Sequence, residues 1–378
     1  MPELKRDDGR NLSRPIPERI REAREAAGFS LEAFADALEI SKQAVSRFES
    51  GLSSPSGETM RRIIGVTGQP PAFFVSSRNR AASGVRPFWR SLQRMRLPDR
   101  KRIARRLEWA SDVVDFLEQF VDLPEVDLPV IEFDPESTAM EQVERAADTL
   151  REAWSLGRGP IRDLSAIMEH HGFMLVRESV NCSDMDAVSC WQGGRPFVLF
   201  SADVESGPRN AFNIAHELGH ILLHSGVDLT KDNLPQIERQ AHRFASALLM
   251  PQETFSREVL GSSIDHFLFL KEKWGVSIAA MAYRCKDLEI FTSNQHGYVM
   301  RQLNARSIRD CEPLDERFKV REPSVLGASV RMLLEHRVQS VDQIERALAL
   351  NLEDIESLCG LPKGHLDTRV IPFQPRLK

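Results

Sequence analysis

The sequence lacks the features that would place the chain in a membrane or in an oxidising compartment. No run of apolar residues approaches the roughly 18 that a membrane span needs. The segment from Met1 to Arg14 is polar and charged, without the apolar stretch of a secretory signal peptide. Five cysteines are scattered without a C-x-x-C pair, which indicates reduced thiols used in packing rather than disulfides or a zinc-thiolate site. We therefore expect a cytoplasmic protein with no membrane contact.

Charge is unevenly distributed along the chain, which the formal net charge of −5 conceals. Between residues 75 and 106, eleven Lys or Arg residues accompany a single acid, Asp99, whereas residues 1–74 are balanced. A basic block of this kind suits a polyanion such as nucleic acid. A solvated helix face is the alternative, because that is the ordinary role of a charge run.

Residues 16–75 are predicted to form four short helices. Ser30 and Ser41 have the character of N-caps for the second and third helices, and Gly51 ends the third. Two short helices joined by a tight turn form a helix-turn-helix, whose second helix lies in the major groove of double-stranded DNA. A dimerisation or peptide-binding module is the alternative for a four-helix domain of this pattern.

The predicted reading helix carries four side chains that suit base recognition: Lys42, Gln43, Ser46 and Arg47. Lys and Arg pair with guanine, Gln with adenine, and Ser with several base edges. The segment GFSLEAFADALEISKQAVSRFESG resembles the phage-repressor family of DNA-binding domains, the Cro/C1 or XRE type. Leu31 departs from the family, which often has a phosphate-holding Gln there. Because such domains usually read two half-sites, we expect a homodimer.

Residues 76–128 are expected to connect this domain to the rest of the chain. Pro98 begins a long helical pattern that ends before Leu123 and Pro124. Its first turns are basic, while its outer face later becomes acidic. The first part therefore suits phosphates, and the second suits solvent or protein.

A predicted helix from Pro208 to about His224 contains an H-E-x-x-H motif. His216 and His220 are four residues apart and share one helix face, so both imidazoles can bind one metal ion. Glu217 is then the candidate general base for hydrolysis. A surface helix with two satisfied histidines is the alternative, but the apolar residues around the motif indicate an embedded helix, in which imidazoles need a partner.

The third ligand of such a site is expected from the next helix, Pro235 to Met250. Glu238 and His242 lie four residues apart there, and we assign Glu238 as the ligand and His242 to orienting a ligand; the reverse assignment is the alternative. His224 is a candidate for substrate binding or for a buried or capping role. Histidine and carboxylate ligands suit Zn²⁺ and also admit Mn²⁺ or Fe²⁺.

The segments RNAFNIAHELGHILLH and IERQAHRFASALLMP resemble the ImmA/IrrE family of metallo-endopeptidases. WSLGRGPI (154–161), DAVSCW (186–191) and WGVSIAAMAYR (274–284) also match its layout. The resemblance implies a gluzincin-like peptidase with Glu238 as a ligand, in a fusion with a repressor-like domain that recurs in bacteria. It further implies a regulator that cleaves a repressor-like protein in response to stress or a signal. The alternative is a DNA-binding repressor whose peptidase fold serves sensing or dimerisation with little proteolysis.

Two further features concern substrate binding and catalysis. Gly193 and Gly194 precede a predicted strand, residues 195–200, to which a peptide could add as an extra strand. Tyr283 and His224 are the candidates for stabilising the oxyanion.

A weak internal repeat appears near the C-terminal end. SVDQIERALALNLEDIESL (340–358) aligns without gaps with SLEAFADALEISKQAVSRF (30–48). The repeated reading helix carries Glu353, Asp354 and Glu356, which phosphates would repel. We therefore expect protein contact, dimerisation or regulation there, with a helical hairpin that covers the peptidase core as the alternative.

The expected fold class is mainly α with a small β-sheet. Its parts are a helix-turn-helix domain (1–75), a basic helical connector (76–128), an α+β metallopeptidase domain (129–300) and a helical C-terminal segment (301–378).

Overall fold

The computed structural model describes residues 14–77, 95–179, 185–228, 230–309 and 311–367. In these ranges the chain is mainly helical, with one three-stranded sheet, which confirms the expected fold class. None of the helices described has the length and hydrophobicity of a membrane span.

Five helices form the N-terminal part: α1 Pro17–Ala26, α2 Leu31–Leu38, α3 Lys42–Glu49, α4 Gly57–Thr67 and α5 Pro71–Val75. The predicted number of four is wrong, because Pro71 begins a further short helix, a position where proline is tolerated. The hydroxyls of Ser30 and Ser41 accept hydrogen bonds from backbone N–H groups three residues later, so both are the predicted N-caps. Between them Glu39 takes the left-handed conformation, with φ of 56°, which makes the turn tight. Phe34 and Val45 are fully buried and hold α2 and α3 together.

The connector is the helix α6, Leu97–Leu117, and it packs against α1. Trp109 donates its indole N–H to Glu22 at 2.6 Å, while Lys101 and Arg105 form ion pairs with Glu25 at 2.8 and 2.9 Å. Cations of the basic block therefore bind carboxylates of the helix-turn-helix domain.

Arg106 on α6 joins three parts of the chain. It is buried, and its guanidinium pairs with Glu178 and with Asp354. For this residue the expectation of polyanion binding is wrong, because the guanidinium is enclosed by two carboxylates. Five other arginines of the block lie outside the described residues: Arg78, Arg80, Arg86, Arg90 and Arg94.

The central part holds the sheet and eight described helices. The elements are α7 Met140–Ala153, α8 Leu164–His170, β1 Met174–Glu178, β2 Ala187–Gln192, β3 Arg195–Ser201, α9 Gly207–Leu223, α10 Leu234–Leu249, α11 Gln252–Glu258, α12 Ile264–Trp274, α13 Ile278–Asp287 and α14 Ser293–Ala305. Alternate residues of the strands face two apolar cores. One core includes Val176 and Leu199 with the connector, and the other includes Leu175 and Val198 with α9 and α10.

The strand order is β1-β3-β2, with β1 parallel and β2 antiparallel to β3. The expected hairpin at Gly193 and Gly194 is present, but the expectation that a peptide adds to residues 195–200 is wrong. Both edges of β3 are already hydrogen-bonded, to β1 and to β2. Within the described residues, the strand next to α9 with an unpaired edge is β2.

The C-terminal part contains α15 Val325–Glu335, α16 Val341–Leu348 and α17 Leu352–Leu358, after a short 3₁₀ turn at Asp315–Arg317. Helices α16 and α17 reproduce the geometry of α2 and α3, because Ser340 and Asn351 are N-caps and Ala349 is left-handed at φ of 51°. The acidic helix α17 packs on α6 and β1, so it makes protein contacts within the chain.

The first apolar core includes side chains from the helix-turn-helix, the connector, the sheet and the C-terminal helices. The domain boundaries at residues 75, 128 and 300 stay predictions.

Cys190, Cys285 and Cys359 are buried, as expected of packing residues, whereas Cys311 is exposed. Cys182 lies outside the described residues.

Candidate metal centre and DNA-reading face

Helices α9 and α10 pack closely where the candidate ligands lie. Gly219, inside the H-E-x-x-H motif, faces the Phe244 ring, and a Cβ atom at Gly219 would come within 3.0 Å of that ring. The missing side chain therefore lets the two helices approach. Ser206 caps the N-terminus of α9, which fixes where the helix begins.

The structure brings His216, His220 and Glu238 together. The two Nε2 atoms are 3.0 Å apart. Glu238 places Oε2 at 3.3 Å from Nε2 of His216 and Oε1 at 3.4 Å from Nε2 of His220. His220 and Glu238 are buried, while His216 is partly exposed.

These three side chains fit a divalent ion. Ligand atoms about 2.0 to 2.1 Å from one tetrahedral ion lie about 3.3 Å from each other, close to the separations of this donor set. Two imidazole nitrogens and a carboxylate are also the donors that zinc and similar ions prefer. The separations and the chemistry of this donor set therefore both fit a metal site.

Glu238 is held in its ionised form. Burial raises the pKa of its carboxyl, but hydrogen bonds and charge from His216 and His220 outweigh burial and hold that pKa far below its usual range. Since a carboxylate binds a metal in its deprotonated form, Glu238 is ready to bind without losing a proton first.

Glu217 lies beside the two histidines on α9. Ligand atoms of His216, Glu217 and His220 all lie within 4.8 Å of one another. The Ser189 hydroxyl on β2 donates a hydrogen bond of 2.6 Å to Glu217 Oε2, and both residues are buried. Sequence reasoning missed Ser189; the available signal was one hydroxyl among the apolar residues 187–191 of the strand.

His224 lies behind His220, away from solvent. Gln240 donates its amide N–H to backbone carbonyls of Pro135 and Ser137, so its Oε1 accepts from His224 Nε2 at 2.9 Å. The Nδ1 atoms of His224 and His220 are 3.1 Å apart. Burial, followed by the charge of His220, lowers the pKa of His224 to about 3, so His224 stays neutral.

This network orients His220. A neutral His224 that donates through Nε2 must accept through Nδ1, so His220 donates its Nδ1–H. The Nε2 atom of His220 is then the ring nitrogen that faces Glu238 and His216, where a metal ligand is needed. His224 is fully buried, which removes the expectation that it contacts substrate.

Two other candidates have different surroundings. The His242 ring lies edge-on to the His216 ring, with centroids 4.9 Å apart, and also contacts Phe212. Tyr283, a candidate for oxyanion stabilisation, packs against His296 with ring centroids 4.6 Å apart.

The DNA-reading candidates all lie on the outer face of α3. Lys42, Gln43, Ser46 and Arg47 are exposed, and on the opposite face Val45 and Glu49 are buried. Arg24 on α1 binds both carboxylate oxygens of Glu49, which anchors the helix from behind. A rigid helix with four exposed polar side chains is the arrangement that base readout needs.

The fold, the donor set of His216, His220 and Glu238, and the exposed face of α3 together define a DNA-binding regulator with a metallopeptidase-like domain. A family model described as Helix-turn-helix matches residues 20–74, and one described as IrrE N-terminal-like domain, of the peptidase M78 family, matches residues 168–286. No curated protein matches the chain significantly. The chain thus joins an XRE-type DNA-binding domain to an ImmA/IrrE-like peptidase domain, and the predicted fusion is confirmed.

Proposed function

We propose that this chain is a transcriptional regulator whose IrrE-like domain is a metal-dependent endopeptidase. Its substrate is a repressor-like protein, cleaved in response to stress or a signal. The observation that carries the proposal is the convergence of His216, His220 and Glu238 from two helices, with Glu217 beside them. A merely structural helix pair has no need to bury this set of groups together.

In the proposed reaction the three ligand residues hold a divalent ion, Zn²⁺ or Mn²⁺. When bound, such an ion supplies a Lewis acid that polarises the scissile carbonyl and makes water more acidic. Glu217 takes the proton from the attacking water and passes it to the leaving amine. The hydrogen bond from Ser189 to Oε2 holds the Glu217 carboxylate in one orientation for this transfer.

The substrate peptide pairs with the edge of β2 in this proposal. That strand lies against the catalytic helix, so an added strand would run beside Glu217. Trp191 follows Ser189 on the same face of β2, is 37% exposed, and is held by a hydrogen bond from its indole N–H to Ser225. It offers an apolar wall to a substrate side chain.

The helix-turn-helix domain directs the protein to its operator DNA in this proposal. Residues Lys42, Gln43, Ser46 and Arg47 enter the major groove of double-stranded DNA, and a homodimer reads two half-sites. This work takes place in the cytoplasm, where operator DNA and a repressor substrate are both accessible.

Cleavage of candidate helix-turn-helix repressors by the full chain, loaded with Zn²⁺ or Mn²⁺, tests the proposal. Glu217→Gln keeps the shape of the side chain but cannot take up the proton, so we expect cleavage to fall by about 10²- to 10⁴-fold while bound metal is retained. Glu205→Gln, an exposed residue outside the site, is the matched control and should cleave normally. Absence of any Glu217-dependent cleavage would favour a sensing or dimerisation role for the domain.

A further inference from the structure

A cavity lies in the peptidase part of the chain, outside the candidate metal centre. Its volume is about 380 Å³, within the range of small-molecule sites. It is enclosed by the first turns of α8 and α9, the end of α12, and residues 317–321. Neither the candidate metal ligands nor Glu217 lines it.

The rim of this cavity is basic. Asp163 is its one acid, among five basic residues: Arg162, Lys273, Arg317, Lys319 and Arg321. Asp163 lies 3.6 Å from Arg321, and Lys273 and Arg317 pair with glutamates outside the cavity. Within the described part of the chain, Arg162 and Lys319 have no ion pair. Two exposed cations at one rim favour an anionic group.

The wall of the cavity holds a hydrogen-bond acceptor without a partner. Asn210 is 2% exposed, and its Nδ2 donates to the backbone oxygens of Val204 and Ser206 at 2.7 and 3.2 Å. Its Oδ1 atom is buried and receives no hydrogen bond from the described residues. A buried acceptor left unpaired is costly, so a ligand that donates an N–H or O–H here gains affinity.

The remaining wall is apolar. Ile214 and Trp274 are buried, and Phe318 is half-buried. We propose that the cavity binds a mononucleotide. The phosphate lies at Arg162 and Lys319, the base lies against Phe318, and a ligand N–H or O–H donates to Asn210 Oδ1.

A ligand in this cavity would contact both residues 317–321 and the helix that carries the metal ligands. Gly207, at the start of α9, donates its N–H to the Phe318 carbonyl at 3.1 Å, and a Cβ at Gly207 would lie 2.1 Å from that oxygen. The segment is therefore tied to α9 at close range. A bound nucleotide thereby supplies a signal to the peptidase; this consequence rests on the proposed function, whereas nucleotide binding does not.

Calorimetry and thermal unfolding of the full chain with AMP, GMP, CMP and UMP test the binding. We expect at least one of them to bind and raise the Tm, while inorganic phosphate and adenosine bind at least about 10-fold more weakly, since each lacks one part of the recognised group. Arg162→Glu and Lys319→Glu should each weaken binding by about 10-fold or more. Arg257→Glu, the same charge change at an exposed site outside the cavity, should leave binding unchanged.

Three results would overturn the proposal: binding of none of the four nucleotides, equal binding of inorganic phosphate, or unchanged binding in both rim variants. Because binding is measured without peptide cleavage, an inactive peptidase that still binds nucleotide would contradict the proposed function and leave this site intact.

Discussion

Ser189 on β2 holds the carboxylate of Glu217 on α9 through a hydrogen bond of 2.6 Å between Oγ and Oε2. Both side chains are buried, so this bond is not weakened by competing solvent. The bond links the sheet to the proposed general base and fixes the orientation of its carboxylate. Ser189 is therefore a positioning residue in the proposed mechanism.

Removal of the Ser189 hydroxyl should affect kcat and not KM. We expect Ser189→Ala to lower kcat by about 10-fold with little change in KM, because the base loses its orientation while the substrate surface is unchanged. Ser189→Thr keeps the hydroxyl and should recover much of the rate. Steady-state peptide cleavage measures both constants, and a fall in Tm without a change in kcat would show a purely structural role.

Glu238, rather than His242, should determine metal binding. Glu238 lies within 3.3 to 3.4 Å of both histidine Nε2 atoms, whereas His242 contacts the side of the His216 ring. Glu238→Gln should weaken Zn²⁺ binding by at least about 100-fold, and His242→Gln by less, as expected for a residue that only orients a ligand. Competition with a chelating dye measures both affinities. A larger loss in His242→Gln would establish the reverse assignment.

Arg47 should contribute base recognition. If its exposed guanidinium pairs with a guanine, Arg47→Ala weakens operator binding by about 1 to 3 kcal/mol and blurs base preference. Arg346→Ala, an exposed arginine on α16 of the C-terminal repeat, is the control and should bind DNA normally. Fluorescence anisotropy on operator and random DNA makes the comparison; equal loss on both would show that Arg47 touches only phosphate.

Glu25 should make the docking of the connector pH-dependent. Burial raises the pKa of its carboxyl, but Lys101 and Arg105 outweigh burial and hold that pKa below its usual range. A carboxyl with a lowered folded-state pKa stabilises the fold above its unfolded pKa of about 4.3, and this stability is lost as the pH falls toward the folded value.

Glu25→Gln should therefore reduce the free energy of unfolding by about 1 to 2 kcal/mol at pH 7. The difference from the wild type should shrink below about pH 4, where the carboxyl becomes protonated in both states. Urea unfolding of both proteins across this pH range measures the difference in their free energies of unfolding. Glu253→Gln breaks an exposed pair with Arg257 and should change little at any pH; a pH-independent loss in Glu25→Gln would contradict the ion-pair explanation.

Local signals in the sequence predicted much of the secondary structure. Ser30 and Ser41 cap their helices as expected, because an N-cap bond spans only three residues. The spacing of His216 and His220 placed both rings on one helix face for the same local reason. The repeat at residues 340–358 likewise predicted a helix-turn-helix shape, and α16 and α17 have it.

Contacts between distant segments could not be predicted from these patterns. Nothing around residue 189 pairs it with Glu217, since strand order and helix packing decide that contact. The basic block predicted a surface for a polyanion, but Arg106 is buried between Glu178 and Asp354. Charge along the chain does not reveal which acids a folded helix will meet.

The sequence by itself determined the two domain types, the H-E-x-x-H helix and the exposed reading helix, because each depends on residues within a few turns of one another. Only the tertiary structure decided that, among the residues it describes, β2 and not β3 has the open edge next to α9. It also decided that His224 contacts His220 on the side away from solvent, and that Arg162 and Lys319 share a cavity rim. These relations join residues far apart in sequence, and they exist only once packing of the apolar cores has fixed the positions of the helices and strands.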